Sequence, residues 1–402
     1  MANLLWGKVY YKDIFAGFIR EEPGDRAIFV YDNSYIESGN PAIAYTLPLR
    51  TEAYTSNNGL HPFFDNLVSE GWLEQTQSRL LGRREASRFE LLLAFGFDCA
   101  GAVSIVDPEP TTPQGKMLDL SDPKEMAVLA SRASLSGVQP KLAVIEEDGV
   151  FRPARIHELS THIAKFSSPG HPDLVENEYL TTLAFKALLP VDDVVELSMR
   201  AIVGVDEPTL LIKRFDRESG SRLHFEEFNQ LLDKRSKTKY DGSHKEMADF
   251  ILESEVCLPT QVYLLYQRIL TGLLLGNTDM HLKNFAMFHT AAGLRLTPSY
   301  DQVAASLYDY KTLALALGGS PNRLIGSIKA SHLVILGDEF RLPHAAIKMA
   351  IEVLEKNIEV AKDVIAEAKL GSDSLKDNLI KLIGKRWNGT FASIGKALLK
   401  KQ

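Results

Sequence analysis

The stretch Gly276 to Phe285, GNTDMHLKNF, followed after a short run by Ser299, Tyr300 and Asp301, constrains this 402-residue chain more than any other. Moving a phosphoryl group from ATP requires a carboxylate to receive the acceptor hydroxyl, then an amide and a second carboxylate to hold Mg²⁺ on the phosphates. Asp279, Asn284 and Asp301 supply that set in that order. The gap between Asp279 and Asn284 is that of a protein-kinase catalytic loop, in which the Asp precedes the metal-binding Asn by about five positions. Pro259 and Thr260 open an apolar segment that Gly276 closes, which predicts a helix delivering the chain into this loop. Phe285 to Thr297 reads as a hairpin leading to Asp301.

With 45% apolar side chains the chain can bury a large core, and its length favours two or three domains. A net charge of −7 argues against a dedicated nucleic-acid or membrane-surface binder, so any nucleic acid is expected to be held by a partner. Only two cysteines occur, Cys99 and Cys257, without CxxC or histidine spacing, which speaks against disulfides and zinc and for the cytoplasm. Met1 to Lys12 carries no long apolar run, and the most apolar segment, Val262 to Gly276, is interrupted by Gln267 and Arg268. Neither export nor a membrane span is expected.

The pattern along the chain is α+β in three parts. Residues 1–110 alternate short strands (Leu5 to Tyr11, Ala16 to Ile19, Ala27 to Tyr31, Ala102 to Val106) with helical stretches (Phe63 to Ser69, Trp72 to Leu81, Arg84 to Phe95). Residues 111–217 resemble a kinase small lobe, with strands at Lys141 to Glu146, His162 to Phe166 and Thr209 to Phe215, and a helix at Leu174 to Leu189. Residues 218–402 are mostly helical: His224 to Leu232, Lys245 to Ser254, Thr260 to Leu275, Pro343 to Ala368 and Ser374 to Ile383 fit a 3.6-residue period.

Lys165 stands in the alternating run His162 to Phe166, where a lysine is either an edge-strand charge or a group that grips phosphates. On the next helix a turn of 100° per residue places Glu176 near the apolar stripe of Tyr179, Leu180, Leu183 and Ala187, with Glu178 toward solvent. Glu176 is thus the expected partner of Lys165, or else a first-turn carboxylate favoured by the helix dipole. The loop Ser134 to Lys141, SLSGVQPK, has Gly137, Val138 and Gln139 where a kinase covers the phosphates, although one glycine makes no fingerprint. A phosphate on one of its serines would compete with nucleotide charge. Thr209 to Arg217 either leaves the core as an ordinary strand or forms a hinge whose Lys213 and Phe215 backbone meets adenine. His281, two residues after Asp279, donates to the γ-phosphate or braces the loop. Metal binding is expected to be oxygen-ligated Mg²⁺ through Asn284 and Asp301.

Taken together, SLSGVQPKLAV, THIAKF, VENEYL, LLIKRFDR, GNTDMHLKNF and LTPSYD occur in the order and approximate spacing of the HipA family of serine/threonine kinases, the toxins of HipBA-type toxin–antitoxin systems. FFDNLVSEGW and GFDCAGAVSI extend the resemblance to that family's N-terminal subdomain. It implies a two-lobed, protein-kinase-like fold with an N-terminal α+β accessory subdomain and a mostly helical C-terminal lobe. It also implies that Asp279 is the catalytic base, Asn284 and Asp301 are Mg²⁺ ligands, and Lys165 contacts ATP phosphates. Ser136 becomes the autophosphorylation site, with Ser134 the second candidate, and Lys213 and Phe215 meet adenine at the hinge. The implied partner is a HipB-like helix-turn-helix antitoxin, through which DNA is reached indirectly. The implied substrate is an aminoacyl-tRNA synthetase, typically the glutamyl enzyme. Phe166 and Met280 depart from residues often found after the ATP lysine and the catalytic Asp, without removing a reacting group.

Two other readings stay open. The D-x-H-x-x-N form made by Asp279, His281 and Asn284 is shared by phosphoinositide kinases, so a small-molecule or lipid substrate is the enzymatic alternative, opposed by the lack of a basic amphipathic membrane segment. The other is a non-catalytic nucleotide-binding co-repressor acting with a DNA-binding antitoxin.

Overall fold

The computed structural model describes residues 4–109, 128, 133–135, 139–155, 157–168 and 170–399. They form two compact units, the first drawn from residues 1–170 and 196–237 and the second from 171–195 and 238–402.

The first unit holds two antiparallel sheets. β1 (Trp6–Tyr11), β2 (Ile14–Glu22), β3 (Arg26–Tyr31), β4 (Tyr54–Ser56) and β5 (Val103–Val106) lie in the order β4-β3-β2-β1-β5. Alternation fixes which face is inward: β1 buries Val9 and Tyr11, and β3 buries Ala27, Phe29 and Tyr31. The helices Pro62–Leu67, Gly71–Leu80 and Arg88–Phe95 add Phe63, Phe64, Leu73, Leu92 and Phe95 to the same core, with the rings of Phe29 and Phe64 5.3 Å apart. Ser87 and Glu90 close a reciprocal capping box at the start of the third helix.

β6 (Lys141–Glu147), β7 (Val150–Pro153), β8 (His162–Phe166), β9 (Leu197–Met199) and β10 (Thr209–Lys213) make the second sheet, ordered β7-β6-β8-β10-β9. Its apolar residues, Leu142, Val144, Ala164, Phe166 and Leu211 among them, belong to one continuous cluster with those of the first sheet. Residues from both expected parts, 1–110 and 111–217, thus contribute to this cluster. A shared hydrophobic cluster folds as one cooperative body wherever the connector between its strands runs.

The second unit is helical around the hairpin of Ala286–Thr290 and Gly293–Leu296. His344–Glu367 buries Ile347, Ala350, Ile351, Leu354, Ile358, Ala361 and Ile365, a stripe at steps of three and four, and packs along Leu174–Leu188. The helix expected in the small lobe thus belongs to this unit. A second difference concerns His224 to Leu232: only Phe228–Leu231 is helical, and Phe225–Glu227 is extended. Every residue from Phe225 to Leu231 is buried, and Glu226 accepts the Tyr45 N–H at 2.7 Å, so tertiary bonds override local helix preference. Ala330–Glu339 is a helix the periodicity did not single out. No helix among the described residues is long and apolar enough to cross a membrane.

Candidate active site

The helix Gln261–Leu275 ends as expected at Gly276, which takes a left-handed φ of +80° and caps it. A Cβ at Gly276 would strike the Ser306 hydroxyl and lie 2.6 Å from Leu382 Cδ2. Gly276→Ala is therefore expected to lower stability by about 1–3 kcal/mol in a denaturant titration, because it combines αL strain with a clash. Arg268, read as a polar interruption of this helix, is buried and grips Asp192 through Nε at 2.8 Å and Nη2 at 2.6 Å. Asp192 also accepts the Ser299 hydroxyl at 3.1 Å, and the Ser299 N–H reaches the Asp193 carbonyl at 2.8 Å. The ion pair thereby anchors the segment that carries Asp301.

Beyond Gly276 the loop is built from short-range bonds. Asn277, almost fully buried, accepts the Asp279 N–H through Oδ1 at 3.1 Å, while its Nδ2 donates to Gln302 Oε1 at 3.3 Å and to the Asp301 carbonyl at 3.4 Å. The Asp279 carbonyl receives the His281 N–H at 2.8 Å, and the His281 carbonyl receives the Asn284 N–H at 3.0 Å. Tyr300 ties the segment that carries Asp301 to the loop by donating its hydroxyl to the Lys283 carbonyl at 2.8 Å. These bonds bring Asp279, Asn284 and Asp301 into one site, as their order in the sequence predicts.

Asn284 Nδ2 donates to Asp301 Oδ2 at 3.1 Å. Its Oδ1 is buried without a hydrogen-bond partner. An orphaned amide oxygen beside a carboxylate costs free energy unless something electropositive meets it, and a hard divalent cation fits that donor set. Asp301 itself holds φ at +58°, a strained conformation that Asp tolerates better than most residues and that recurs at functional sites. Asp279 reaches solvent, yet the protein packed around it desolvates the carboxylate and, with the Asp301 charge, pushes its pKa up to about 6. Lys239 and the Tyr240 hydroxyl act in the other direction. His281 accepts the Lys283 N–H at Nδ1 (3.3 Å), which places the ring proton on Nε2.

In the first unit, Lys165 lies on β8, inside the sheet rather than at its edge, and is 7% exposed. Directly opposite it in register stands Lys141 at 5%, a residue the sequence placed only as the start of a strand. Two buried lysines thus face each other across neighbouring strands of this sheet. Gln139 donates to the Phe166 carbonyl at 2.8 Å, holding the end of the SLSGVQPK loop to the strand of Lys165. Ser136, Gly137 and Val138 lie outside the described residues. Ser134 is buried, donates to the Leu67 carbonyl at 2.7 Å and sits 3.0 Å from the Ser69 hydroxyl, so its oxygen is already engaged.

On the helix Leu174–Leu188 the expected orientation is corrected: Glu178 is 1% exposed, whereas Glu176 is only half-buried. The helix is packed on more than one face, burying Val175, Asn177, Glu178, Thr181 and Thr182 along with Leu180, so Glu178 does not face solvent, while Glu176 keeps a buried Oε2. At the end of β10, the Lys213 N–H is taken by the Glu196 carbonyl at 2.9 Å and its ammonium by the Glu196 carboxylate at 3.1 Å. Phe215 packs its ring 5.0 Å from that of Phe225. The charged residues around them serve a buried network instead. Arg214 binds both Asp216 oxygens (2.9 and 2.7 Å), Asp98 Oδ1 (3.2 Å), the Ser160 hydroxyl (2.9 Å) and the Cys99 carbonyl (2.8 Å), while Arg217 reaches Asp98 at 2.8 Å.

Antiparallel sheets, a helical unit and the Gly276 to Phe285 loop running between helix and hairpin define an α+β, protein-kinase-like fold. Comparison with known proteins agrees and narrows the class. Residues 133–364 match the HipA-like C-terminal domain and residues 7–106 the HipA N-terminal domain. The chain belongs to the HipA family of kinase toxins. It is 27% identical over 358 residues to Y4dM of Sinorhizobium fredii, spanning 83% of this chain and 85% of that one. To the serine/threonine-protein kinase toxin HipA of Shewanella oneidensis it is 28% identical over 349 residues, covering 78% of each chain. A chain of the Shewanella oneidensis HipA, HipB and operator DNA complex superposes with a TM-score of 0.74 at 23% identity, over 97% of this chain and 99% of that chain.

Proposed function

We propose that the protein is an ATP- and Mg²⁺-dependent serine/threonine kinase that arrests growth, phosphorylates an aminoacyl-tRNA synthetase, most simply the glutamyl type, and autophosphorylates at Ser136. A HipB-like helix-turn-helix antitoxin would neutralise it and connect it to DNA, as the Shewanella complex of HipA, HipB and operator DNA suggests. The observation that carries the catalytic part is the grouping of Asp279 with Asn284 and Asp301, with Asn284 Oδ1 buried and unpartnered on the amide that bonds Asp301. Asn284 Oδ1 and the Asp301 carboxylate would hold Mg²⁺, which when bound neutralises phosphate charge.

Asp279 accepts the proton of the acceptor hydroxyl as that oxygen attacks the γ-phosphorus and the bond to the ADP oxygen breaks. The His281 Nε2–H is a donor suited to the transferring phosphoryl group. Lys165 is assigned the phosphates of ATP, and Lys141, facing it in register, is added to that assignment. Glu176, with its buried Oε2, remains the carboxylate proposed to orient a phosphate-binding cation, with buried Glu178 the second candidate. For the nucleotide base, the Lys213 and Phe215 segment at the end of β10 is the proposed hinge, with the Lys213 N–H given to the Glu196 carbonyl. With the Ser134 hydroxyl committed to Leu67, Ser136 is the loop serine proposed as acceptor.

A base with a raised pKa works only when ionised. The rate of transfer at subsaturating ATP is therefore expected to fall about tenfold for each pH unit below about 6 and to level off above it. Initial rates with labelled ATP between pH 5 and 8 check this, and a flat profile would contradict Asp279 as base.

A further inference from the structure

Immediately before the helix His244–Glu253 the segment Thr238–Ser243 is clamped against the catalytic loop. The Lys239 carbonyl accepts the Leu282 N–H at 3.2 Å, and on the other side Gly242 accepts the Ala316 N–H at 3.2 Å, while Ala314 donates to the Thr278 carbonyl at 2.8 Å. A turn closed by the Asp241 N–H on the Thr238 carbonyl, at 2.9 Å, projects Tyr240 from this clamp. Its ring stands edge-on to His281 with centroids 5.2 Å apart, and its hydroxyl donates to Asp279 Oδ1 at 3.3 Å. Lys239 supplies the positive charge nearest in sequence, its Nζ 5.5 Å from the Tyr240 ring centre and its field felt by Asp279.

We propose, resting on the kinase reading above, that Tyr240 is a positioning residue for phosphoryl transfer: its hydroxyl fixes one oxygen of Asp279 so that the other faces the acceptor hydroxyl, and its exposed ring forms part of the surface on which the acceptor segment lies. A carboxylate at the end of a short side chain is free to rotate about χ2, and a base must present one lone pair within hydrogen-bond reach of the proton it removes. Tyr240 restricts that rotation from outside the loop, and its contact with His281 couples the orientation of the base to that of the neighbouring phosphate donor. Tyr240 is 47% exposed, beside the reacting carboxylate, where an approaching peptide gains apolar contact without displacing a buried group. Sequence spacing gives no hint of this role, because two helices, His244–Glu253 and Gln261–Leu275, separate Tyr240 from the loop.

The test uses the full chain with labelled ATP and Mg²⁺, its own serines and added casein as acceptors, and compares wild type, Tyr240→Phe and Asp279→Ala. Tyr240→Phe keeps the ring on His281 and removes only the hydroxyl. It is expected to lower the maximal transfer rate about tenfold to a hundredfold, the size of one hydrogen bond to a charged group, with half-saturating ATP within about twofold of wild type and the thermal midpoint unchanged. Tyr240→Leu is expected to add a rise in half-saturating casein. A Tyr240→Phe rate within twofold of wild type, while Asp279→Ala is silent, overturns this proposal and leaves the kinase reading standing. A loss that comes with weaker ATP use or a lower thermal midpoint overturns it too, since it marks a structural role. No transfer by the wild type removes the kinase reading and this proposal together.

Discussion

Asp279→Asn is expected to reduce phosphate transfer by at least about 10²-fold and up to about 10⁴-fold, the range that removing a positioned general base produces. Asn keeps the shape and the place in the loop but has no site for the proton. The same variant is expected to be no less stable than wild type above pH 7, and its thermal midpoint should rise slightly. The sign follows from the direction of the shift. Burial and the Asp301 charge raise the Asp279 pKa to about 6 in the folded chain, above its value in the unfolded one, so folding disfavours the ionised carboxylate at every pH above the unfolded value. Replacing it with a neutral amide removes that penalty, the usual relation between a strained site and the stability it forgoes. Transfer at wild-type rate, or a marked drop in melting temperature with the loss, would show that Asp279 serves the fold rather than the reaction.

The second large effect lies outside the site. Asp98→Ala is expected to destabilise the first unit by about 3–5 kcal/mol, measured by denaturant titration followed by the fluorescence of Trp6 and Trp72. Asp98 is fully buried, and its carboxylate faces Arg214 and Arg217 and accepts both the N–H and the hydroxyl of Ser160, at 3.1 and 2.6 Å. Burial alone would raise its pKa, but the two guanidinium groups more than offset this and hold it below the usual carboxylate range. Stability from this carboxylate is accordingly present above the unfolded pKa near 4 and is lost as pH falls through the lower folded value. Removing one anion from the network strands buried cations with too little compensation. A loss under 1 kcal/mol would mean that water reaches the cluster more easily than its burial implies.

These two positions show how unevenly the chain discloses itself. Asp279, Asn284 and Asp301 were legible because the chemistry fixes their types and their distance along a single loop, and because Pro259, Thr260 and Gly276 announce the helix that delivers it. The strands of the first sheet were legible through alternation, and the long helix His344–Glu367 through its period. Glu178 was misjudged because an apolar stripe predicts one buried face, whereas Leu174–Leu188 is packed on several. Lys141 escaped notice because its meaning depends on register: only strand pairing sets it opposite Lys165. The same holds for LLIKRFDR, whose charges read as a departure from the core but close on Asp98, more than a hundred residues earlier. Long-range bonds of this kind also explain why the division into units differs from the one suggested by connector composition. Tyr240 belongs to the same class of residue, placed by backbone bonds to a loop that follows it in sequence by nearly forty positions.

The central claim, that this chain moves phosphate from ATP to a protein hydroxyl through Asp279, is tested most directly by incubating it with labelled ATP and Mg²⁺ beside Asp279→Ala and mapping phosphate by mass spectrometry of the peptides. The account predicts phosphate on Ser136 in the wild type, none on Ser134, and none anywhere in the variant. An unlabelled wild type that binds ATP with full occupancy, or equal labelling of both chains, would contradict it.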